Sequence, residues 1–143
     1  MTPDQLAHLH ALCFTTPRPW QAAEFRSLLT GPGITLIPHE HGFLLGRILA
    51  PEAEVLTLAV DPNHRRQGIA STLLHDFTKA ARKQQTQQIF LEVIISNQPA
   101  LALYKAAGFT QTGQRKDYYQ TPNGQRASAF VLARDLTRPD PSA

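Results

Sequence analysis

Along this chain apolar residues recur first at three- and four-residue intervals, then at every second position, and then in the two rhythms by turns. "DQLAHLHALCF" (4–14) puts Leu6, Leu9 and Leu12 on one helical face. "PWQAAEFRSLL" (19–29) predicts a second helix that holds Trp20 and Phe25 and opens on a proline suited to a first helical turn. "GITLIP", "GFLLGRIL" and "AEVLTLAV" predict three strands, divided by turn-like stretches at His39–Gly42 and Ala50–Glu52. Residues 67 to about 84 predict the longest helix: Ile69, Leu73 and Phe77 recur at i, i+4 and i+8, joined by Ala70, Leu74 and Ala81. "QIFLEVII" (88–95) predicts a strand, and "QPALALYKAAGF" (98–109) a helix with Pro99 in its first turn and Gly108 as its stop. Two last strands flank "TPNGQ", where Asn-Gly signals a hairpin.

The order α-α-β-β-β-α-β-α-β-β predicts an α+β domain, a mixed central sheet flanked by helices. The strand at 53–60 reaches the strand at 89–95 through a long helix, so the two should be parallel, with their C-terminal ends at one sheet edge. Ligands of such sheets tend to bind at that edge. One domain is expected over 1–136, followed by a loose, Pro-rich tail at 137–143.

Composition narrows the class without naming the chemistry. Hydrophobic residues make up 42% of 143 and charged residues 17%, a globular rather than a disordered balance. The net charge of +3 comes without a run of like charges or a basic stripe interleaved with aromatics, so a local anionic ligand fits better than specific nucleic-acid binding. Cys13 is the only cysteine, which excludes a disulfide framework and suggests a small buried thiol. No apolar run approaches a membrane span and no leader pattern opens the chain, so a soluble cytoplasmic protein, monomeric or weakly dimeric, is expected. His39 and His41 bracket Glu40, but two histidines in a short turn make a solvated loop more readily than a metal site, and no metal is expected.

The segment that calls for chemistry is "AVDPNHRRQGIASTLL" (59–74), where a strand stops at Asp61-Pro62 and a helix begins just after Arg65, Arg66 and Gly68. The first N–H groups of a helix lack internal partners, and the helix dipole adds positive charge there. A phosphate satisfies both if nothing blocks it; Gly68 and Ala70 keep the approach small, and the arginines add forked donors. The same residues also fit a solvated loop pair with an incidental turn glycine. Neither G-x-x-x-x-G-K-[ST] nor G-x-G-x-x-G is present, so nucleotide-hydrolysing and dinucleotide-binding readings gain nothing.

Arg65-x-x-Gly68-x-Ala70 after "LTLAVDP" resembles the acyl-coenzyme A motif of GNAT-type N-acetyltransferases, and "FLEVIISNQPALALYKAAGF" followed by "GQRKDYY" resembles the ribosomal-protein-alanine (RimI-type) members. The resemblance is specific over about residues 53–120. It implies acetyl-CoA as donor, held by the backbone at Leu58, Ala59 and Val60, by Arg65, Arg66, Gln67, Gly68, Ile69, Ala70 and Ser71, and by Asn97 on the pantetheine arm. Asn97 also suits a helix N-cap. The family's proposed base matches Glu92, which otherwise reads as a strand carboxylate reaching solvent or an arginine; its acid matches Tyr104, otherwise a core aromatic. Trp20, Tyr118 and Tyr119 are candidate walls of the acceptor groove, or packing residues. The family's opening strand is absent or very short here. The implied acceptor is the N-terminal α-amine of a ribosomal protein; a small amine, a lysine side chain, and a non-catalytic acyl-CoA- or RNA-binding module are the alternatives.

Overall fold

The computed structural model describes residues 1–137; beyond Thr137, the tail expected to be loose lies outside the described residues. Helix α1 (Pro3–Cys13) opens on a reciprocal cap in which the Thr2 hydroxyl accepts from Gln5 N–H while the Gln5 side chain accepts from Thr2 N–H. Helix α2 is Ala22–Leu29, shorter than the pattern predicts. Pro19 and Trp20 precede it rather than form its first turn, because Glu24 folds back onto Gln21 N–H at 3.1 Å and fixes the start there.

Strands β1 (Ile34–His39), β2 (Gly42–Leu49) and β3 (Glu52–Val60) follow, and then a short 3-10 turn at Pro62–His64 and helix α3 (Ile69–Lys83). Strand β4 (Gln88–Ile94), helix α4 (Gln98–Ala106), and strands β5 (Thr110–Gln120) and β6 (Arg126–Asp135) complete the order. No strand precedes α1 among the described residues. The sheet runs β1-β2-β3-β4-β6-β5, and only the central β3–β4 pair is parallel, as the crossover through α3 requires. At the β5–β6 connection only Gly124 is left-handed (φ +84°), its N–H donating to Thr121 O at 3.0 Å, so Asn-Gly ends a longer loop instead of making a two-residue turn.

Each face of the sheet has its own core. On one, the stripe Ile69, Leu73, Leu74, Phe77 and Ala81 of α3, with Tyr104 of α4, packs on Leu44, Ile48, Val55, Leu91 and Leu132. The approach is closest at Gly46, where a Cβ would lie 2.3 Å from the Phe77 ring. On the other, Leu6 and Leu9 of α1 and Phe25 of α2 pack on Phe43, Leu45 and Ala59. The sheet residues of this second core lie on β1, β2 and β3, while Glu54 of β3 and Glu92 of β4 add carboxylates to the same face.

His10 ties that second layer together. Its Nδ1 accepts from Trp20 N–H at 3.0 Å, so Nε2 carries the proton and donates to Thr57 Oγ1 at 2.9 Å. The ring stacks on Phe14 and Trp20 at 4.4 and 5.1 Å. Burial holds its pKa down at about 4, from an ordinary 6.5, against a weaker upward pull from Glu24. Since the folded state prefers the neutral ring, this stability is complete above about pH 6.5 and drains away as pH falls towards 4. His10→Gln should therefore be less stable at pH 7, yet lose less further stability between pH 6.5 and 4.5 than the parent. Urea denaturation at the two pH values measures both changes, and parallel losses in the two proteins would contradict the assignment.

Candidate functional site

The parallel contact is brief: β3 and β4 pair at Glu52↔Gln88, Ala53↔Ile89 and Glu54↔Phe90 and no further. Beyond that rung β3 stays paired to β2 as far as Val60, and β4 to β6 as far as Ile94, so the two halves of the sheet diverge around a wedge-shaped gap. A bulge accompanies the divergence. Leu45 pairs with Thr57 while Gly46 pairs with Val55, which leaves Leu56 as an extra residue in β3. It turns the strand over: Ala53 and Val55 face the α3 core, whereas Ala59 joins the α1–α2 core and Thr57 bonds His10. Leu58 and Val60 then pack towards α3, and the edge of residues 55–60 that faces β4 has no strand partner.

At the C-terminal mouth of the gap lies the turn into α3. Asp61 caps the 3-10 turn, its carboxylate accepting from Asn63 N–H at 2.9 Å. Arg66 (φ +63°) and Gly68 (φ +75°) are both left-handed, a conformation that costs a residue with a Cβ about 1–2 kcal/mol and that persists where a site needs it. A Cβ on Gly68 would meet no protein atom within 4 Å. The glycine therefore serves the backbone angle and the space outside the helix, which is what a diphosphate lodged on the first amides of α3 requires. Arg65, Arg66, Gln67 and Ser71 are exposed around it and Ala70 is half-buried. Ile69 is buried in the α3 core, so of that predicted contact only the backbone can meet a ligand. Cys13 is only half-buried; its thiol donates to Val60 O at 3.2 Å, and burial pushes its pKa up against the opposing Arg65 guanidinium.

Asn97 caps α4 as its position predicts, its side-chain oxygen accepting from Ala100 N–H at 3.2 Å, which leaves the amide NH₂ as a donor. Tyr104 is 7% exposed, with its ring 5.6 Å from Phe109. Burial alone pushes its pKa well above the ordinary value. It belongs to the α3–α4 side of the sheet.

Glu92 lies on the opposite face, since its neighbours Leu91 and Val93 both enter the α3-side core. Arg115 Nε reaches Glu92 Oε1 at 2.7 Å, so the arginine partner that the sequence left open is present. The Arg115 guanidinium also sits 5.0 Å from the Tyr118 ring centre, and the charge of Glu92 pushes the Tyr118 pKa up. Tyr119 is pushed up to about 12, first by burial and then by Glu92. Glu54, at the last parallel rung, has its pKa raised by burial and by Glu92, against Arg47 and Arg115.

Across the gap, a cavity of about 570 Å³ is lined by Trp20, Ala23, Glu24, Ser27, Leu28 and the bulged Leu56. Trp20 thus stands at the α1–α2 wall facing the bulge, while Phe25 is fully buried core. His41 stacks on His64 at 3.5 Å between centroids, and no cluster of three or more metal-ligating side chains occurs among the described residues. Sequence reasoning missed Arg115, Glu54 and His10. Arg115 stood inside the quoted "GQRKDYY", but nothing in spacing alone aims it two strands away.

The sequence profile of the acetyltransferase (GNAT) family matches residues 5–109. The chain belongs to the GNAT acetyltransferase family. This GNAT chain is 34% identical to the N-alpha-acetyltransferase RimI of Mycobacterium tuberculosis over 93% of its own length and 86% of the relative's. With the [ribosomal protein bS18]-alanine N-acetyltransferase of Escherichia coli it shares 35% identity over 64% of its own length, spanning 61% of that relative. The crystal structure of the ribosomal-protein-S18-alanine N-acetyltransferase from Escherichia coli superposes with a TM-score of 0.82 at 27% identity, covering 96% of this chain and 89% of that one. The acetyltransferase therefore has the layered fold its element order predicts. No helix among the described residues is long and apolar enough to cross a membrane.

Proposed function

We propose that this acetyltransferase moves the acetyl group of acetyl-CoA onto the N-terminal α-amine of a protein, with a ribosomal protein in the cytoplasm as its acceptor. The observation that carries the reading is the gap between β3 and β4, with a glycine-opened helix start at its mouth and an acid and a base candidate on opposite faces. The likeness to an N-alpha-acetyltransferase over 86% of that relative's length supports the choice of acceptor.

On this reading the amides at the start of α3 and Gly68 hold the pyrophosphate, with Arg65 and Arg66 adding charge. Gln67, Ser71 and Ala70 surround it, and the Asn97 NH₂ donates to the pantetheine arm. Acetyl-CoA supplies a thioester, whose carbonyl oxygen gains charge as it is attacked. An unpaired N–H on the β4-facing edge at Leu58, Ala59 or Val60 is placed to receive that charge. The acceptor approaches from the opposite face, between Trp20 on one side and Tyr118 and Tyr119 on the other.

An ammonium has no lone pair, so Glu92 takes a proton from it, directly or through water. The nitrogen then forms its bond to the carbonyl carbon as the carbon–sulfur bond breaks. Tyr104, protonated at neutral pH as a phenol of ordinary pKa is, supplies the proton that the departing sulfur takes, and regains one from the new amide nitrogen. Net, one proton ends on the coenzyme thiol and one leaves through Glu92.

The deciding experiment offers acetyl-CoA with ribosomal-protein N-terminal peptides, lysine peptides blocked at the N-terminus, and small amines, and reads the products by mass spectrometry. Acetylation at the α-amine of the first set is expected; transfer only to lysine or to small amines would overturn the acceptor. Gly68→Asp puts a carboxylate into the open space beside α3, in a left-handed position that Asp tolerates better than most residues. It should weaken acetyl-CoA binding by at least about tenfold, roughly 1.4 kcal/mol, in a chain that still folds; calorimetry with a melting curve reads both. Tyr104→Phe should lower kcat by about 100-fold while the acetyl-CoA KM changes little. An unchanged kcat would remove the hydroxyl from the chemistry.

A further inference from the structure

Glu92 belongs to the interior strand β4, yet the group that holds it comes from β5, the outermost strand, across the whole width of β6. Cross-strand registers fix the distance: Glu92 lies opposite Val131 and through it Gly113, while Arg115 lies opposite Ala129, one inward-facing position further along. To reach Glu92 the arginine must lie over β6, where Val131 and Ala129 stand between the two strands.

Just past Arg115 the ladder breaks. The next paired residue on β5 is Tyr119, opposite Ala127, so four steps on β5 are set against two on β6. The surplus is taken up by a left-handed Asp117 (φ +51°), whose N–H donates to Ser128 Oγ at 3.1 Å. Bulges of this kind re-aim side chains: Arg115 is the last paired residue before the break, and Tyr118, which also addresses Glu92, lies within it.

Screening by water limits what the arrangement adds to stability. The Arg115 side chain is 54% exposed, and an ion pair so open to water is worth at most about 1 kcal/mol. Glu92 is 19% exposed and stands at the gap, with Glu54 adding a like charge from β3. A carboxylate there needs one oxygen pinned if the other is to meet an amine in a fixed direction.

We infer that Arg115 is a positioning residue for the acetyl transfer: through Nε on Oε1, and with Tyr118 beside it, it fixes the direction in which Glu92 meets the acceptor's proton. The inference rests on the reading of Glu92 as the base. Tyr118 packs against the guanidinium and keeps it over the strand. The role belongs to the chemical step rather than to donor binding, because the cradle at Gly68 lies at the start of α3 and Arg115 on the far edge strand.

The test compares Arg115→Gln, Arg115→Lys, Glu92→Gln and the Glu92→Gln/Arg115→Gln double variant in steady-state kinetics with an N-terminal peptide acceptor, alongside melting curves. Arg115→Gln should lower kcat by about tenfold or more, with both KM values within about twofold of the parent. Arg115→Lys, which can still pin one oxygen, should recover much of the loss. The Gln substitution at 115 should cost nothing further in the Glu92→Gln background, since the arginine acts through that carboxylate. Glu92→Gln at the parent rate would remove the base itself. With Glu92→Gln slow, an Arg115→Gln variant that matches the parent, lowers the acceptor KM, or adds its full cost in the double variant would overturn the inference alone.

Discussion

The parallel contact between β3 and β4 ends at Glu54 and Phe90 because the two strands are pulled towards different partners. β3 is held by β2 and bent by the extra Leu56, and β4 follows β6. A continuous sheet would seal one face from the other, since its core is packed too closely for a substrate to pass. Parting two central strands opens the one route through it. Tyr104 lies on the α3–α4 face and Glu92 on the other, so no chemistry could join them except through that opening. The proposed transfer needs donor and acceptor to approach from opposite sides, and the wedge is the feature that permits it.

Two contacts seat helices on the β2–β3 half of the sheet. The Phe77 ring presses so close to Gly46 that only a glycine fits, which seats α3 against the β2 half of the sheet just where the bulge begins. On the opposite face His10 bonds Thr57 immediately beyond the bulge and fixes α1 to the same half. Neither contact reaches β4. On the β4–β6–β5 half the same face carries Glu92 and Arg115 among apolar neighbours such as Ile94 and Ala129, with Glu54 beside them on β3.

What the sequence made legible follows from local rules. The α3 stripe, the Asn97 cap, the Gly108 stop (φ +95°) and the glycine before α3 each depend on residues within a turn of one another, and each stands where its pattern places it. Trp20 precedes α2 although Pro19 suits a helix start, because the Gln21–Glu24 cap makes the start two residues later. The bulge was hidden by "VLTL", in which apolar residues fall on both faces and either register satisfies the alternation. Arg115 was illegible for a different reason: its partner lies 23 positions earlier in the chain, and only the register of three strands brings the two together.

The arrangement of charge also bears on which amine the site suits. At pH 7, stripping a proton from an α-amine of pKa near 8 costs about 1.4 kcal/mol, and from a lysine near 10.4 about 4.6 kcal/mol. A carboxylate is a weak base towards either, so a site that depends on one works best with the amine that resists least. Glu92 is engaged by a guanidinium, whose positive charge also repels an arriving ammonium, while Glu54 supplies a compensating negative charge from the neighbouring strand. An α-amine asks about 3 kcal/mol less of the Glu92 carboxylate than a lysine side chain does.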